Sequence, residues 1–234
     1  MAEVEQYNPG LQAFLTYDEP PASLNLSRNI NLGFFMDGSD WFIDEEASGG
    51  IILDAMIHDI NLLVCKYEKP TLLKGEFKQI KCNCIDEVTV TLQFNGFIAT
   101  IHCSWLSTLK QPIETTINIG KKNGETLSIH VDDYIIRDQT TAKDGFYYEI
   151  KAFLEAISTN KAPYALSHYL VGIEVAHEMI ALAKRKPNSD NLQITQYQNV
   201  KTLFNPENYT PLVLPDQPTL NNQIDIKRTH KPGG

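Results

Sequence analysis

The sequence predicts an α+β fold: a large open, mostly antiparallel β-sheet with helices packed on one face. Three observations point there. Period-two apolar alternation is concentrated in the middle of the chain, helical patterns flank it, and strands do not alternate with helices as a doubly wound parallel sheet requires.

The elements follow in chain order. "NPGLQAFL" opens a short helix, with Asn8 as N-cap and Pro9 at the first helical position. "EPPA" breaks it. "SLNLSRNINLGFF" alternates imperfectly through Leu24, Leu26, Ile30 and Leu32, and reads as a strand. "MDGSDWFIDEEASGG" is a loop that brings three acids ahead of a helix. "GGIILDAMIHDINLLVCKYE" is a buried helix ended near Pro70.

A meander of about six strands comes next. "TLLKGEFKQIK" and "IDEVTVTLQF" alternate, Asn95-Gly96 is a strong hairpin signal, and "FIATIHCSWL" returns. "PIETTINIG", the turn "KKNG" and "ETLSIHV" form a second hairpin, and "YIIRD" adds a further strand. Such sheets leave one face to pack on helices.

Two helices close the domain. "GFYYEIKAFLEAIS" places Phe146, Ile150, Phe153, Leu154 and Ile157 on one side. "SHYLVGIEVAHEMIALAKR" starts at a serine cap and ends in basic residues, as the helix dipole favours. "NLQITQYQNV" reads as a last strand. Residues 205–234 carry five prolines and few branched apolar residues, the pattern of an extended, partly disordered tail. The expected organisation is therefore one domain over 1–204 and a tail over 205–234.

Bulk properties exclude several roles. The 234 residues are 42% apolar and 21% charged, ordinary for a globular chain. A net charge of -9 argues against unassisted nucleic-acid binding and against docking on anionic membranes. No apolar run reaches the ~18 residues of a membrane span, and no secretory leader opens the sequence. The four cysteines lack zinc spacing, so no metal is expected and a reducing, cytoplasmic setting is the default. In a strand, Cys82 and Cys84 would face the same side and pack. No G-x-G-x-x-G follows a strand, and no P-loop occurs.

The chemistry concentrates in "SGGIILDAMIHDINLL". On a helix, Asp54, His58 and Asn61 share one face. An imidazole suits proton transfer near neutral pH, and a carboxylate one turn away orients it or the substrate. Gly49 and Gly50 allow close backbone approach, with amides available to hold a substrate oxygen. The bland alternative is a satisfied buried hydrogen bond between the Asp and the His. "EVAH" at Glu174–His177 has Glu-x-x-His spacing without the second copy a di-iron bundle needs.

These segments together resemble the C-terminal domain of the Gfo/Idh/MocA family of sugar and inositol dehydrogenases. The Gly-Gly pair, then Asp, three residues and His match its opening motif. "VEQYNPGLQAF", "EVTVTLQFNGFIATIHCSW", "TINIGKKNGETLSI" and the closing helix pair follow in the family's order, over about residues 4–198. The resemblance implies that His58 shuttles the proton of the hydroxyl being oxidised and that Asp54 positions that hydroxyl. Asn61, Gly49, Gly50, Arg28, Trp41 and Tyr7 become substrate contacts. It implies NAD or NADP as cofactor, bound by a Rossmann domain that these 234 residues do not include, so the chain alone is expected to be inactive. Two positions depart from the pattern: Asn61 stands where many relatives have Asp, and Gln6 where many have Arg. "EKP" at Glu68–Pro70 echoes the family's Glu-Lys-Pro motif but follows the Asp/His helix, so Lys69 inherits no role. The partners expected are a sugar-like small molecule and further copies of the chain, as dimer or tetramer, associating through an apolar face of the sheet. The rival reading is a stand-alone, non-enzymatic sugar- or partner-binding protein of the same fold.

Overall fold

The computed structural model describes residues 4–35, 41–137, 142–161 and 166–184. The expected strand at "NLQITQYQNV" and the expected tail over 205–234 lie outside these residues.

After a 3-10 turn at Val4–Tyr7, helix α1 (Pro9–Leu15) starts where Asn8 accepts a hydrogen bond from the Gly10 amide, with proline at its first position. Strand β1 (Ser23–Ile30) buries Leu24, Leu26, Arg28 and Ile30 and turns the intervening residues outward. A 3-10 turn at Trp41–Ile43 leads to the short helix α2 (Glu45–Ser48), capped by Asp44 through the amides of Glu46 and Ala47. Gly49 ends α2 at φ 81°, a left-handed conformation that other side chains resist. A Cβ there would also lie 2.7 Å from Leu53 Cβ. The chain re-enters helix through a π turn, Ile52–Met56, which continues as α3 (Ile57–Tyr67).

The sheet comprises β1 with β2 (Thr71–Lys78), β3 (Glu87–Phe94), β4 (Phe97–Ser104), β5 (Ile113–Gly120) and β6 (Thr126–His130). Its order is β2-β3-β4-β1-β5-β6. Both expected hairpins form: β3 and β4 turn at Asn95-Gly96, and β5 and β6 turn through Gly124 at φ 88°. The meander is nevertheless interrupted. Strand β1 is wedged between β4 and β5, parallel to the first and antiparallel to the second. The β4–β5 connection crosses the end of β1, where Asn31 donates from Nδ2 to the Leu109 carbonyl and its own amide donates to Pro112. The described residues of "YIIRD" stay out of the sheet. Its strand β7 (Ile136–Arg137) pairs only with β8 (Ala142–Lys143). The cysteine segment is not a strand either: the amides of Ile80, Lys81 and Cys82 converge on the buried Asp86 carboxylate.

One sheet face carries Val88, Val90, Leu92, Ala99, Ile101, Ile117 and Ile119, all fully buried with Leu62 and Leu63 of α3 and Met179 of the last helix in one core. Burying such residues supplies the main folding force, about 1.5–3 kcal/mol for each large side chain. The segment Glu45–Tyr67 has the length and apolar character of a membrane span, contrary to the sequence expectation, but its apolar 18-residue stretch is 67% buried in the fold. It is the core helix. The opposite sheet face lacks the apolar patch expected of it. Its register aligns Thr89, His102, Ser27, Thr116 and His130 across five strands. Thr89 and His102 lie 3.0 Å apart, Thr116 and His130 3.2 Å apart, and the Ser128 hydroxyl donates to Asn118. Ile98, 44% exposed, lies on this face as a large apolar residue.

Helices α4 (Gly145–Thr159) and α5 (Leu166–Ala183) complete the described residues. Helix α5 packs closely on α3: a Cβ on Gly172 would fall 1.7 Å from Asn61 Oδ1.

Candidate functional site

The site is built around the junction of the π turn and α3. Asp54 lies in the turn and His58 begins the second position of α3; both are half-buried. Burial pushes the Asp54 carboxyl above its ordinary value, against the opposing pull of His58. A π turn widens the helix by closing i→i+5 bonds and is frequent at functional sites. It keeps Asp54 and His58 within electrostatic reach while rotating later residues off their stripe. Asn61 accordingly does not share the half-exposed setting of the pair: it is fully buried against Gly172.

A buried ion cluster flanks the pair. Arg28 is 2% exposed and grips Asp59 (0% exposed), with Nε donating to Oδ1 and Oδ2 at 3.1 and 3.0 Å and Nη2 donating to Oδ1 at 2.6 Å. Its other edge reaches Glu5 at 3.2 Å, from the 3-10 turn that opens the domain. Burial alone would lower the Arg28 pKa; the carboxylates of Asp59 and Glu5 outweigh it and hold the guanidinium charged, well above its ordinary value. Burial works against ionisation of Glu5 too, yet Arg28, with a smaller pull from His58, brings its carboxyl below the usual range. Burial raises the Asp59 carboxyl against Arg28, but three guanidinium hydrogen bonds make it the ionised partner of the pair. Next to this cluster the Cys103 thiol is pushed far up by burial and then by Asp59, so it packs as a neutral group.

The structure thus brings Asp54, His58 and Arg28 into one neighbourhood. The other expected contacts are placed differently. The Gly49 amide donates to the Glu45 carbonyl and the Gly50 amide to Ser48 Oγ, so both are engaged within the chain. Trp41 is 47% exposed and edge-packed on Phe42. Tyr7 is half-buried in the opening 3-10 turn. Gln6 is fully buried, donating to Cys65 Sγ and accepting from the Tyr169 hydroxyl. Glu5 and Asp59 escaped the sequence reading. The signal for Asp59 was present: Arg28 falls on the inward register of Leu24, Leu26 and Ile30, and a buried arginine demands a carboxylate.

Elsewhere, a cleft of about 420 Å³ is lined by Tyr17, Lys66, Tyr67 and Phe97 and includes neither Asp54 nor His58. Lys69 pairs at the surface with Glu174 at 2.8 Å, away from any catalytic arrangement. Among the described residues, no group of three or more His, Cys, Asp or Glu is placed to hold a metal. Nor do they form a dinucleotide cradle. The one parallel pair, β1 with β4, is not followed by a glycine turn into a helix.

Comparison with known families places residues 25–125 in a match to the GFO/IDH/MocA C-terminal domain. The matched stretch runs from β1 through the β5–β6 turn and includes Asp54 and His58. Solved structures agree at the level of fold. This domain resembles UDP-N-acetylglucosamine 3-dehydrogenase from Acidithiobacillus ferrooxidans (TM-score 0.58, 17% identity), covering 77% of this chain and 59% of that one. It resembles a myo-inositol dehydrogenase from Corynebacterium glutamicum (TM-score 0.60, 13% identity), covering 77% and 60%. An oxidoreductase from Agrobacterium radiobacter in complex with NAD+, L-tartaric acid and magnesium matches with TM-score 0.57 and 15% identity, covering 78% and 62%. The chain thus spans about three fifths of the length of these neighbours. A comparison with curated protein sequences finds no match.

Proposed function

We propose that this Gfo/Idh/MocA domain is the substrate-binding and oligomerisation domain of an NAD(P)-dependent oxidoreductase acting on a sugar or cyclitol hydroxyl. The observation that carries the reading is the half-buried Asp54–His58 pair at the head of the core helix, backed by the Glu5–Arg28–Asp59 cluster. Asp54 accepts a hydrogen bond from the substrate hydroxyl and fixes its direction. His58 takes the proton as the hydroxyl is oxidised. The clustered ions anchor the 3-10 turn, β1 and α3 to one another, so the imidazole is presented on a rigid frame.

A nicotinamide, when bound, accepts hydride. The described residues do not fit one, because they offer no Gly-rich turn for its pyrophosphate, and the domain by itself is inactive. Self-association runs through the polar sheet face, hydrogen-bonded rather than apolar. The protein works in the cytoplasm, where its four free cysteines stay reduced.

Two titrations of the 234-residue chain test this. NADH and NADPH, followed by fluorescence, should show no binding; micromolar binding would mean a nucleotide site within this chain and would end the half-enzyme reading. A panel of hexoses, inositols and their nucleotide conjugates, followed by calorimetry, should yield a binder that His58→Ala and Asp54→Ala each weaken at least tenfold. A binder insensitive to both changes would favour a non-enzymatic binding protein. Light scattering that finds only monomer at micromolar concentration would remove the oligomerisation role.

A further inference from the structure

Cys82 and Cys84 stand one residue apart. The backbone bends continuously from Ile80 to Cys84, and the two thiols lie within hydrogen-bonding reach of each other. A disulfide needs Cα atoms about 4.4–6.8 Å apart. A fully extended Cys-x-Cys segment, at about 3.3–3.6 Å per residue, sits at the limit of that range, and a bent one falls within it. The settings of the two thiols differ. Cys82 is half-buried, Asn83 is exposed, and Cys84 is 3% exposed in the core. Burial, then Cys82 and Glu45, push the Cys84 thiol up to about 12, so at rest it is a neutral, inert group. An oxidant in solvent therefore meets Cys82 first, with Cys84 held beside it as the resolving thiol.

The pair adjoins the frame of the candidate site. The Cys82 amide is held by the Asp86 carboxylate at 3.1 Å. Next to Cys84, the Ile85 amide donates to Glu45 Oε1 at 3.0 Å. Glu45 lies in the first turn of α2, and Gly50 stands against it: a Cβ on Gly50 would lie 3.2 Å from Glu45 Cγ. Gly50 leads into the π turn that carries Asp54. Closing a disulfide draws the sulfurs from contact to about 2.05 Å. The Cys82 amide and the Cys84 side chain are both anchored, so the adjustment falls on the backbone between and beyond them, at Asn83 and Ile85.

We propose that Cys82 and Cys84 form a reversible redox modification site, closed to a disulfide by hydrogen peroxide and reopened by thiols, and that closure slackens the Ile85–Glu45 contact. In the first step the Cys82 thiolate attacks one peroxide oxygen and breaks the O–O bond. Cys82 becomes a sulfenic acid, and the other oxygen leaves as hydroxide, which takes up a proton to give water. In the second step the Cys84 sulfur attacks the Cys82 sulfur. The S–O bond breaks, and the hydroxyl departs as water with the Cys84 proton. The two thiols are oxidised to one disulfide, and the peroxide is reduced to two waters. Holding the sulfurs in contact raises their effective concentration far above that of any external thiol. A ring closed through a single residue is strained, and strained disulfides are the readily reduced ones. The site thus rests in the reduced form and closes only while peroxide is present.

The test treats the full chain with hydrogen peroxide, blocks remaining thiols with iodoacetamide and locates the products by tandem mass spectrometry. The expected product joins Cys82 to Cys84 within one chain, with Cys103 still a thiol, and dithiothreitol restores both cysteines to alkylation. Amide exchange followed by nuclear magnetic resonance should show the Ile85 amide exchanging at least tenfold faster in the oxidised chain, while the core amide of Val90 stays protected. Cys82→Ser, a change at a half-buried position, should leave Cys84 unoxidised under the same treatment. Cys84→Ser should instead leave Cys82 as a sulfenic acid that dimedone traps. Both cysteines still alkylated after peroxide would overturn the proposal. So would a sulfinic acid at Cys82 of the unaltered chain without the disulfide, a bridge between two chains, or a disulfide that leaves Ile85 exchange unchanged.

Discussion

Replacing Arg28 by methionine should destabilise the domain strongly. The side chain is 2% exposed, and it leaves behind Asp59, 0% exposed, stripped of three hydrogen bonds. Breaking a buried ion pair from one side costs about 3–5 kcal/mol, because the surviving charge stays desolvated. Glu5, 18% exposed, can rehydrate and adds little. For a chain of this size the loss corresponds to roughly 6–20 °C in melting temperature. The methionine keeps most of the volume, so cavity formation is not the cause. Urea unfolding at pH 7, followed by circular dichroism, measures the effect. The decisive comparison is Arg28→Met with Asp59→Leu. Removing both charges should restore most of the loss, since buried pairs replaced by apolar residues are often neutral or better. A pH series adds a second check: Asp59 in the single variant escapes its penalty by taking up a proton, so the deficit should shrink as pH falls through the carboxylate range. A single-variant loss under about 1 kcal/mol, the ordinary cost of an exposed pair, would refute the buried cluster. So would a double variant no better than the single.

Three further substitutions have defined outcomes. Asp54→Asn should raise stability at neutral pH: burial lifts this carboxyl, so its stabilising, protonated form is lost as pH rises through the folded pKa. The advantage of the Asn variant over wild type in melting temperature should therefore open above about pH 4 and close below it. Gly172→Ala should cost about 1–3 kcal/mol by overpacking α5 on α3, and Asn61→Ala in the same chain should recover part of that in thermal melts. Lys69→Ala should change stability by less than about 1 kcal/mol, since its pair with Glu174 is exposed, and should leave sugar binding measured by calorimetry unaltered.

What the sequence made legible was local. Asn8 and Pro9 announce α1, Asn95-Gly96 announces the β3–β4 turn, and period two assigns inward residues correctly on β1 and β3. What it hid was long-range or cooperative. Nothing in "SLNLSRNI" says that this strand enters the sheet between two hairpins, because strand order depends on which edges meet in space. The π turn at Ile52–Met56 adds one residue to a helical turn without changing composition, so Asp54, His58 and Asn61 read as one stripe although only the first two share a setting. The pattern of α4 shows an amphipathic helix correctly but cannot say whether its apolar side meets its own core or another domain.

The central position of β1 also governs assembly in time. Residues 23–30 leave the ribosome long before their neighbours at 98–104 and 113–120 exist. Until then Leu24, Leu26 and the bare Arg28 guanidinium have no sheet to join. High contact order of this kind slows folding and prolongs exposure of an unpaired strand. The emerging polypeptide thus carries an unpaired apolar strand for as long as β1 waits.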